Sequence, residues 1–148
     1  MSNINIKNAY FAAGCFWGVE YHFAKLAGVK TAISGYMGGH TLNPDYHSVS
    51  TGTTGHLEVV KVEYDENIVS FEKLVKLFFE IHDFTQENGQ GPDIGSQYLS
   101  GIYYNNNEEK EVREKIIAKL SNMGYKVATS LYTVVPFYEA EDDHQEYY

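Results

Sequence analysis

The sequence contains one cysteine, Cys15, within the segment Gly14-Cys15-Phe16-Trp17-Gly18. A predicted strand ends at Gly14 and a predicted helix begins directly after it. Free backbone N–H groups and the helix dipole at such a point stabilise a thiolate. A lone cysteine can also be an inert core residue, which is the commoner case when context is ignored. The context here favours a reactive thiol.

Two large aromatic residues, Phe16 and Trp17, follow the cysteine directly. Adjacent helical positions point about 100° apart, so both rings do not fit into one core layer. We therefore expect at least one ring to line a pocket beside the sulfur. A thiol beside an aromatic wall suits a ligand that joins a small apolar group to a polar reacting centre.

Composition and charge disfavour several classes of protein. The 148 residues carry a formal net charge of -9, which disfavours phosphate backbones and acidic membrane surfaces. The sequence has no signal-peptide pattern, and no run approaches the roughly 20 apolar residues that cross a bilayer. A single cysteine also forms no internal disulfide. We expect a cytoplasmic protein that binds neither nucleic acid nor membrane.

Metal and nucleotide sites are disfavoured as well. No close histidine pair and no zinc-type cluster occurs among His40, His47, His56, His82 and His144. The sequence also lacks a glycine-rich phosphate-binding motif. We therefore expect no bound metal and no nucleotide cofactor.

Hydrophobic periodicity predicts elements in the order β-α-β-β-α-β-α-β. Strands are expected at 4–13, 31–37, 57–64, 98–104 and 131–135, and helices at 16–26, 71–81 and 107–123. Loops are expected at 38–55 and 87–95, and an acidic tail follows the last strand. This order predicts an α+β fold with a mixed, largely antiparallel sheet, helices packed on it, and a ferredoxin-like (split βαβ) core.

Five ordered segments carry the most specific pattern in the sequence. They are GCFWG (14–18), GYMGG with NPDY (35–39 and 43–46), TGHLE (54–58), DIGSQY (93–98) and FYEAEDDHQ (137–145). Each resembles a segment of the peptide methionine sulfoxide reductase A family, in the same order. The resemblance covers nearly the whole chain and so implies one catalytic domain over residues 1–148.

The resemblance implies an enzyme that reduces the S epimer of methionine sulfoxide to methionine without a bound cofactor. It matches Cys15 to the nucleophile and Glu58 to the proton donor. Further matches are Tyr46 and Tyr98 to two hydroxyls that bind the sulfoxide oxygen, Asp93 to a supporting carboxylate, and Phe16 and Trp17 to the methyl pocket.

Glu58 fits its implied role if its strand is buried. On a strand it shares a face with Val60, Val62 and Tyr64. Such an apolar face would desolvate the carboxyl and raise its pKa, which a general acid near neutral pH requires. A surface glutamate on an edge strand is an equally good interpretation of the sequence alone.

The other implied site residues have weaker local signals. Most of the 13 tyrosines are expected to be packing residues. Tyr46 stands apart because it lies in the polar loop, and Tyr98 because it follows the Gly-rich turn. Their hydroxyls can donate to an oxygen that carries negative charge. Asp93 in that turn fits a positioning role better than a chemical one.

The acidic run near the C-terminus of the sequence is usually solvated charge. It contains Glu139, Glu141, Asp142 and Asp143. The resemblance suggests that part of this run folds back toward the site. We assign it no chemistry from the sequence.

The chemistry that the resemblance implies can be written for these residues. A Cys15 thiolate attacks the sulfoxide sulfur while Glu58 protonates the oxygen and the two phenols stabilise its charge. Methionine leaves, and Cys15 becomes a sulfenic acid. A neutral Glu58 serves both steps, since a charged carboxylate would oppose formation of the thiolate.

Many relatives resolve the sulfenic acid with further cysteines, and this sequence has none. The expected reductant is therefore an external thiol: thioredoxin, glutaredoxin with glutathione, or a small dithiol. The expected substrates are oxidised proteins or free methionine sulfoxide. Two questions stay open: whether Cys15 replaces a selenocysteine, as in some relatives, and whether the chain is part of a longer or fused reductase.

Two other functions share the reactive thiol. A thiol-based peroxide sensor would be oxidised at Cys15 and would change partners, but it gives no reason for Phe16 and Trp17 beside a proton donor. A binding module for methionine-containing peptides would use the same pocket without turnover.

Overall fold

The computed structural model describes residues 6–14, 16–39, 44–51, 54–87, 89–90 and 93–141. The strands in these ranges are β1 (Ile6–Ala13), β2 (Val29–Met37), β3 (Leu57–Asp65), β4 (Gly89–Gln90), β5 (Asp93–Ile94), β6 (Ser100–Tyr104), β7 (Ser130–Thr133) and β8 (Phe137–Glu139). The α-helices are α1 (Phe16–Ala24), α2 (Tyr46–Ser50), α3 (Phe71–Glu80) and α4 (Asn107–Asn122). None of these helices has the length and apolar content to cross a membrane.

Six strands form one sheet in the order β7-β6-β1-β3-β2-β8. Neighbouring strands are antiparallel except β6 and β7, which are parallel. The prediction of a mixed, largely antiparallel sheet is therefore confirmed. Strands β1 and β2 run in the same direction on either side of β3, as a split β-α-β unit requires. The ferredoxin-like core itself stays a prediction.

The main core lies between the sheet and helices α1, α3 and α4, on the side that we call the helix face. Phe11 of β1 stacks on Phe23 of α1 at 4.9 Å and lies 5.5 Å from Phe78 of α3, measured between ring centroids. A smaller cluster around Met37 and Val59 covers the opposite face. The prediction of helices packed on the sheet is confirmed.

The longer helices and strands lie close to their predicted positions because their hydrophobic patterns repeat several times along each element. Helix α3 begins after Ser70, whose hydroxyl accepts the Lys73 N–H at 3.1 Å. Its buried residues are Phe71, Leu74, Val75, Phe78 and Phe79. Strand β6 starts at Ser100 instead of the predicted Tyr98, because Tyr98 ends a short 3-10 turn.

Three short features were not predicted. Helix α2 lies inside the predicted 38–55 loop and is stabilised by a reciprocal cap between Asp45 and Ser48. Strand β8 lies in the predicted acidic tail and pairs with the end of β2. Strands β4 and β5 form a small hairpin within the predicted 87–95 loop. All three are too short to show a periodic pattern.

The β2–β8 pair depends on a glycine at position 35. A methyl group there would overlap the carbonyl oxygen of Tyr138 and the ring of Phe137. We predict that Gly35→Ala lowers the free energy of unfolding by about 1–3 kcal/mol, since backbone cannot yield as a side chain can. Urea unfolding followed by the fluorescence of the single tryptophan, Trp17, measures this change.

The matched control is Lys30→Ala, at an exposed position of the same strand. It should stay within about 0.5 kcal/mol of the parent protein. Equal unfolding midpoints for both variants would show that β8 does not need the close approach at Gly35.

Candidate active site

The Glu58 side chain lies on the helix face of β3, as the strand alternation predicts. Only 1% of the residue is exposed. Its Oε1 atom accepts a hydrogen bond from the backbone N–H of Phe16, the first residue of α1, at 3.2 Å. Its Oε2 atom has no hydrogen-bond partner among the described residues.

Burial raises the pKa of Glu58 to about 8. The Phe16 N–H acts in the opposite direction, and the nearby charge of Asp93 raises the pKa further. The carboxyl is therefore largely protonated at neutral pH. Since Oε1 already accepts the Phe16 N–H, the proton belongs on Oε2, the oxygen free to donate it.

Tyr46 and Tyr98 share a hydrogen bond between their hydroxyl groups. Tyr46 opens α2, and Tyr98 ends the 3-10 turn. Burial first, and then the charges of Glu58 and its neighbours, raise the pKa of Tyr98 above its usual range. The Tyr98 phenol thus remains a hydrogen-bond donor near Glu58. The structure brings these three predicted site residues together.

The two aromatic residues after position 15 separate as their helical positions require. Phe16 is fully buried, whereas Trp17 is only partly buried. The Tyr46 ring centroid lies 6.3 Å from each of them, and its plane is 14° from that of Trp17. Trp17 and Tyr46 thus form a stacked aromatic wall, and the hydroxyl of Tyr46 also belongs to the phenol pair.

Asp93 acts on Glu58 through its charge. It lies in β5 and is partly buried. It also lines a cavity of about 430 Å³ that reaches Trp17 and Gly18. A negative charge at this place disfavours ionisation of Glu58, so Asp93 helps to keep the acid neutral.

Cys15, the predicted nucleophile, lies outside the described residues, while its two neighbours are described. Gly14 has a φ angle of +90°, a conformation that suits glycine. A Cβ atom there would lie 2.7 Å from Cβ of Gln90. The Gln90 side chain is itself held, because its Oε1 accepts the Asp83 N–H at 2.8 Å. Glycine is therefore the residue that fits before the cysteine.

Two further residues lie at the site: Tyr36, which the sequence did not indicate as a site residue, and Glu141, which belongs to the acidic run expected to fold back in part and was assigned no chemistry. Tyr36 is fully buried in β2 and is the cross-strand partner of Glu58. Its hydroxyl donates to Glu141 Oε1 at 3.2 Å, and burial raises the Tyr36 pKa. Glu141 also accepts the Tyr46 N–H, at 3.1 Å to Oε2. Their membership in segments 35–39 and 137–145 was the available signal.

The described residues contain no group of three or more side chains that could hold a metal ion. Two of the predicted non-ligand histidines have structural partners instead. His56 Nδ1 accepts the Gly39 N–H at 3.0 Å, and His82 hydrogen-bonds to Phe78 and Ser100. His40 and His144 lie outside the described residues.

These groups define a class of site. A neutral buried acid and a pair of phenols can protonate and bind an electron-rich oxygen, and the aromatic wall can hold a small apolar group attached to it. Such a site fits the removal or transfer of a polar oxygen from a substrate group that is otherwise apolar.

Comparison with known proteins identifies the family. The model of the peptide methionine sulfoxide reductase family matches residues 7–148. The peptide methionine sulfoxide reductase MsrA of Pasteurella multocida is 49% identical over 142 residues, which are 95% of this chain and 82% of that protein. MsrA of Nautilia profundicola is 47% identical over 143 residues, 97% of this chain and 83% of that protein.

Solved structures agree with this match. Methionine sulfoxide reductase A of Corynebacterium diphtheriae superposes with a TM-score of 0.87 at 36% identity, over 96% of this chain and 73% of that chain. Reduced Mxr1 from Saccharomyces cerevisiae gives 0.89 at 32% identity, over 99% and 88%. The chain belongs to the peptide methionine sulfoxide reductase family and is an enzyme of that class, which confirms the resemblance.

The buried carboxyl makes stability depend on pH. The Glu58 pKa is about 8 in the folded protein and has an ordinary value of 4.5. Its stabilising contribution is therefore complete below about pH 4.5 and is lost as the pH rises through about 8. Glu58→Gln removes this titration. We predict that the stability of the parent protein relative to Glu58→Gln falls by up to about 1.4 kcal/mol per pH unit in this window.

Urea unfolding of both proteins from about pH 5 to about pH 8 measures the difference. Glu63→Gln, the same substitution on the same strand, controls for the loss of one carboxylate. If the stabilities of the parent protein and Glu58→Gln change in parallel with pH, Glu58 is not a buried neutral acid.

Proposed function

We propose that the chain reduces the S epimer of methionine sulfoxide, protein-bound or free, through a sulfenic acid on Cys15. The observation that carries this proposal is the buried carboxyl of Glu58, whose pKa is raised by burial, beside the hydrogen-bonded phenols of Tyr46 and Tyr98. This pairing can supply one oxygen with a proton from Glu58 and with a hydrogen bond from a phenol. The second phenol donates to the same oxygen once the bond between the two hydroxyls opens. Residues 1–148 act as one catalytic domain in this proposal, without a bound cofactor.

The first step forms the sulfenic acid. The Cys15 thiolate attacks the sulfoxide sulfur, and Glu58 donates its proton to the oxygen while both phenols stabilise the oxygen's charge. The substrate S–O bond then breaks as the oxygen with its proton becomes bound to the Cys15 sulfur. The S–S bond made by the attack breaks with it, and its electron pair leaves on the methionine sulfur. The substrate sulfur gains two electrons and the thiol sulfur loses two, so methionine and a sulfenic acid result.

The aromatic wall supports recognition of the methyl group. Trp17 stacks on Tyr46, whose hydroxyl belongs to the phenol pair. A methyl group held against this ring would have its sulfoxide oxygen directed to the phenols. Contacts between sulfur groups and aromatic rings are favourable by about 0.3–1.5 kcal/mol, which suits a methionine side chain.

The second step regenerates the thiol. Two external thiols convert the sulfenic acid to a thiol, and a disulfide and water are formed. Within these 148 residues Cys15 is the one cysteine, so the reducing thiols in this proposal come from outside these residues. We propose thioredoxin, glutaredoxin with glutathione, or a small dithiol. The relative Mxr1 has been solved in complex with Trx2, which supports the first of these.

The direct test mixes the protein with the separate epimers of methionine sulfoxide and dithiothreitol, and measures methionine. We predict that the S epimer alone is reduced and that Cys15→Ser abolishes the reaction. Without reductant, one turnover should leave a dimedone-reactive sulfenic acid at Cys15, visible by mass spectrometry.

Each other function has its own outcome in this test. A peroxide sensor would give the dimedone adduct with peroxide but no methionine. A peptide-binding module would bind the sulfoxide and release it unchanged. Methionine formed without the adduct would contradict the sulfenic acid, and turnover by Cys15→Ser would contradict the nucleophile.

Glu58→Gln tests the proton donor. The amide keeps the size of the side chain but has no acidic proton, so we predict that kcat falls by about 10²–10⁴-fold while the substrate still binds. In the parent protein kcat should also fall as the pH rises through about 8, because Glu58 then loses its proton.

The kcat–pH profiles of both proteins check this prediction, with Glu63→Gln as the control. The alkaline fall should be present in the control and absent in Glu58→Gln. The same alkaline fall in Glu58→Gln would assign it to another group and remove Glu58 as the acid.

A further inference from the structure

The carboxylate of Glu141 joins three separate parts of the chain. It accepts the hydroxyl of Tyr36 on β2 at 3.2 Å. It also accepts the backbone N–H of Tyr46 at 3.1 Å to Oε2 and 3.3 Å to Oε1. Glu141 itself follows β8, so one side chain connects this segment, the sheet and helix α2.

The backbone next to Glu141 is fixed. The N–H of Ala140 donates to the carbonyl of Ser34 at 2.9 Å, and the Ala140 side chain is buried. The Ser34 hydroxyl in turn donates to Glu20 at 2.9 Å. The backbone at Glu141 is therefore anchored, although the residue itself is exposed. Exposed carboxylates usually contribute little to stability through their ion pairs.

Helix α2 needs such an anchor because it has five residues, too few for stability from its own hydrogen bonds. Two acceptors outside the helix serve its first turn. Asp45 accepts the Ser48 N–H at 2.7 Å, and Glu141 accepts the Tyr46 N–H. The direction in which Tyr46 leaves the helix is thus fixed partly by Glu141.

Tyr36 gives the carboxylate its second partner. The Tyr36 side chain is fully buried, and a buried hydroxyl without a partner is costly. Burial and then the Glu141 charge raise the pKa of Tyr36, so its hydroxyl keeps its proton and donates to Glu141. The carboxylate is therefore held from the sheet side as well as from the helix side.

We propose that Glu141 is a positioning residue that acts through Tyr46. It holds the start of α2 against Tyr36, and it thereby keeps the Tyr46 hydroxyl beside Tyr98 where the sulfoxide oxygen would bind. This inference rests on the proposed function, since it assigns Tyr46 the oxygen-binding role.

The first test is a double-mutant cycle on kcat. Glu141→Ala should lower kcat by about tenfold to a hundredfold and leave KM within about threefold, because the lost contact acts on the charge that develops in the reaction. In a Tyr46→Phe background, where the hydroxyl is already absent, Glu141→Ala should change kcat by less than about twofold. Additive losses in the two backgrounds would contradict the proposal.

The matched control is Glu139→Ala. Glu139 is exposed, lies two residues before Glu141, and contributes to β8 through its backbone pairing with Gly35. It should leave kcat within about twofold in both backgrounds. A loss equal to that of Glu141→Ala would show that charge at this end of the chain matters and that the contact with Tyr46 does not.

A second measurement needs no turnover. Trp17 is the single tryptophan and stacks on Tyr46, so its fluorescence reports the position of the Tyr46 ring. Glu141→Ala should shift Trp17 emission and increase its quenching by acrylamide, and Glu139→Ala should not. Unchanged Trp17 fluorescence in a folded Glu141→Ala protein would overturn the positioning role.

Two further outcomes are distinguishable. If Glu141→Ala does not fold, Glu141→Gln replaces it, since the amide keeps one acceptor oxygen and should give a smaller loss in the same cycle. If the parent protein does not reduce methionine sulfoxide, the proposed function fails. The Trp17 measurement then still decides whether Glu141 positions Tyr46.

Discussion

The Glu58 carboxyl lies where β3 meets the first turn of α1, and almost none of it contacts solvent. Charge in such a place is unfavourable, because the protein supplies one N–H where water would supply several partners. The Phe16 N–H alone favours the ionised form, but burial and the Asp93 charge outweigh it. The balance leaves a neutral acid with one oxygen free to donate, and the proposed chemistry depends on that state.

The sheet register determines which groups surround this acid. Tyr36 lies opposite Glu58 across the β2–β3 pair, and Glu139 lies opposite Gly35 across the β2–β8 pair. A shift of one residue in either pair would turn its side chains to the other face. The close approach at Gly35 brings β8 near enough for Glu141 to reach Tyr36. Strand β2 pairs with β3, which carries Glu58, and with β8, which precedes Glu141. The positions of Glu58 and Glu141 thus both depend on β2.

Sequence patterns predicted the parts of this arrangement that repeat along the chain. The alternation along β3 placed Glu58 on the face of Val60, and hydrophobic periodicity predicted a helix at 71–81, close to the observed α3. Neither pattern could reveal the contact between Tyr36 and Glu141, which are 105 residues apart. Helix α2 and strand β8 were not predicted, because elements this short show no periodic pattern and are stabilised mainly by tertiary contacts.

The acid and the phenols are therefore held in different ways. Glu58 lies in a central strand with neighbours on both sides, so its position follows from the sheet itself. Tyr46 and Tyr98 lie in a five-residue helix and a three-residue turn, which do not fix a side chain alone. Their positions must come from the stack on Trp17, from their mutual hydrogen bond and from Glu141. The geometry around the proposed oxygen site thus depends on contacts between elements that are far apart in the sequence, including those of Glu141 with Tyr36 and Tyr46.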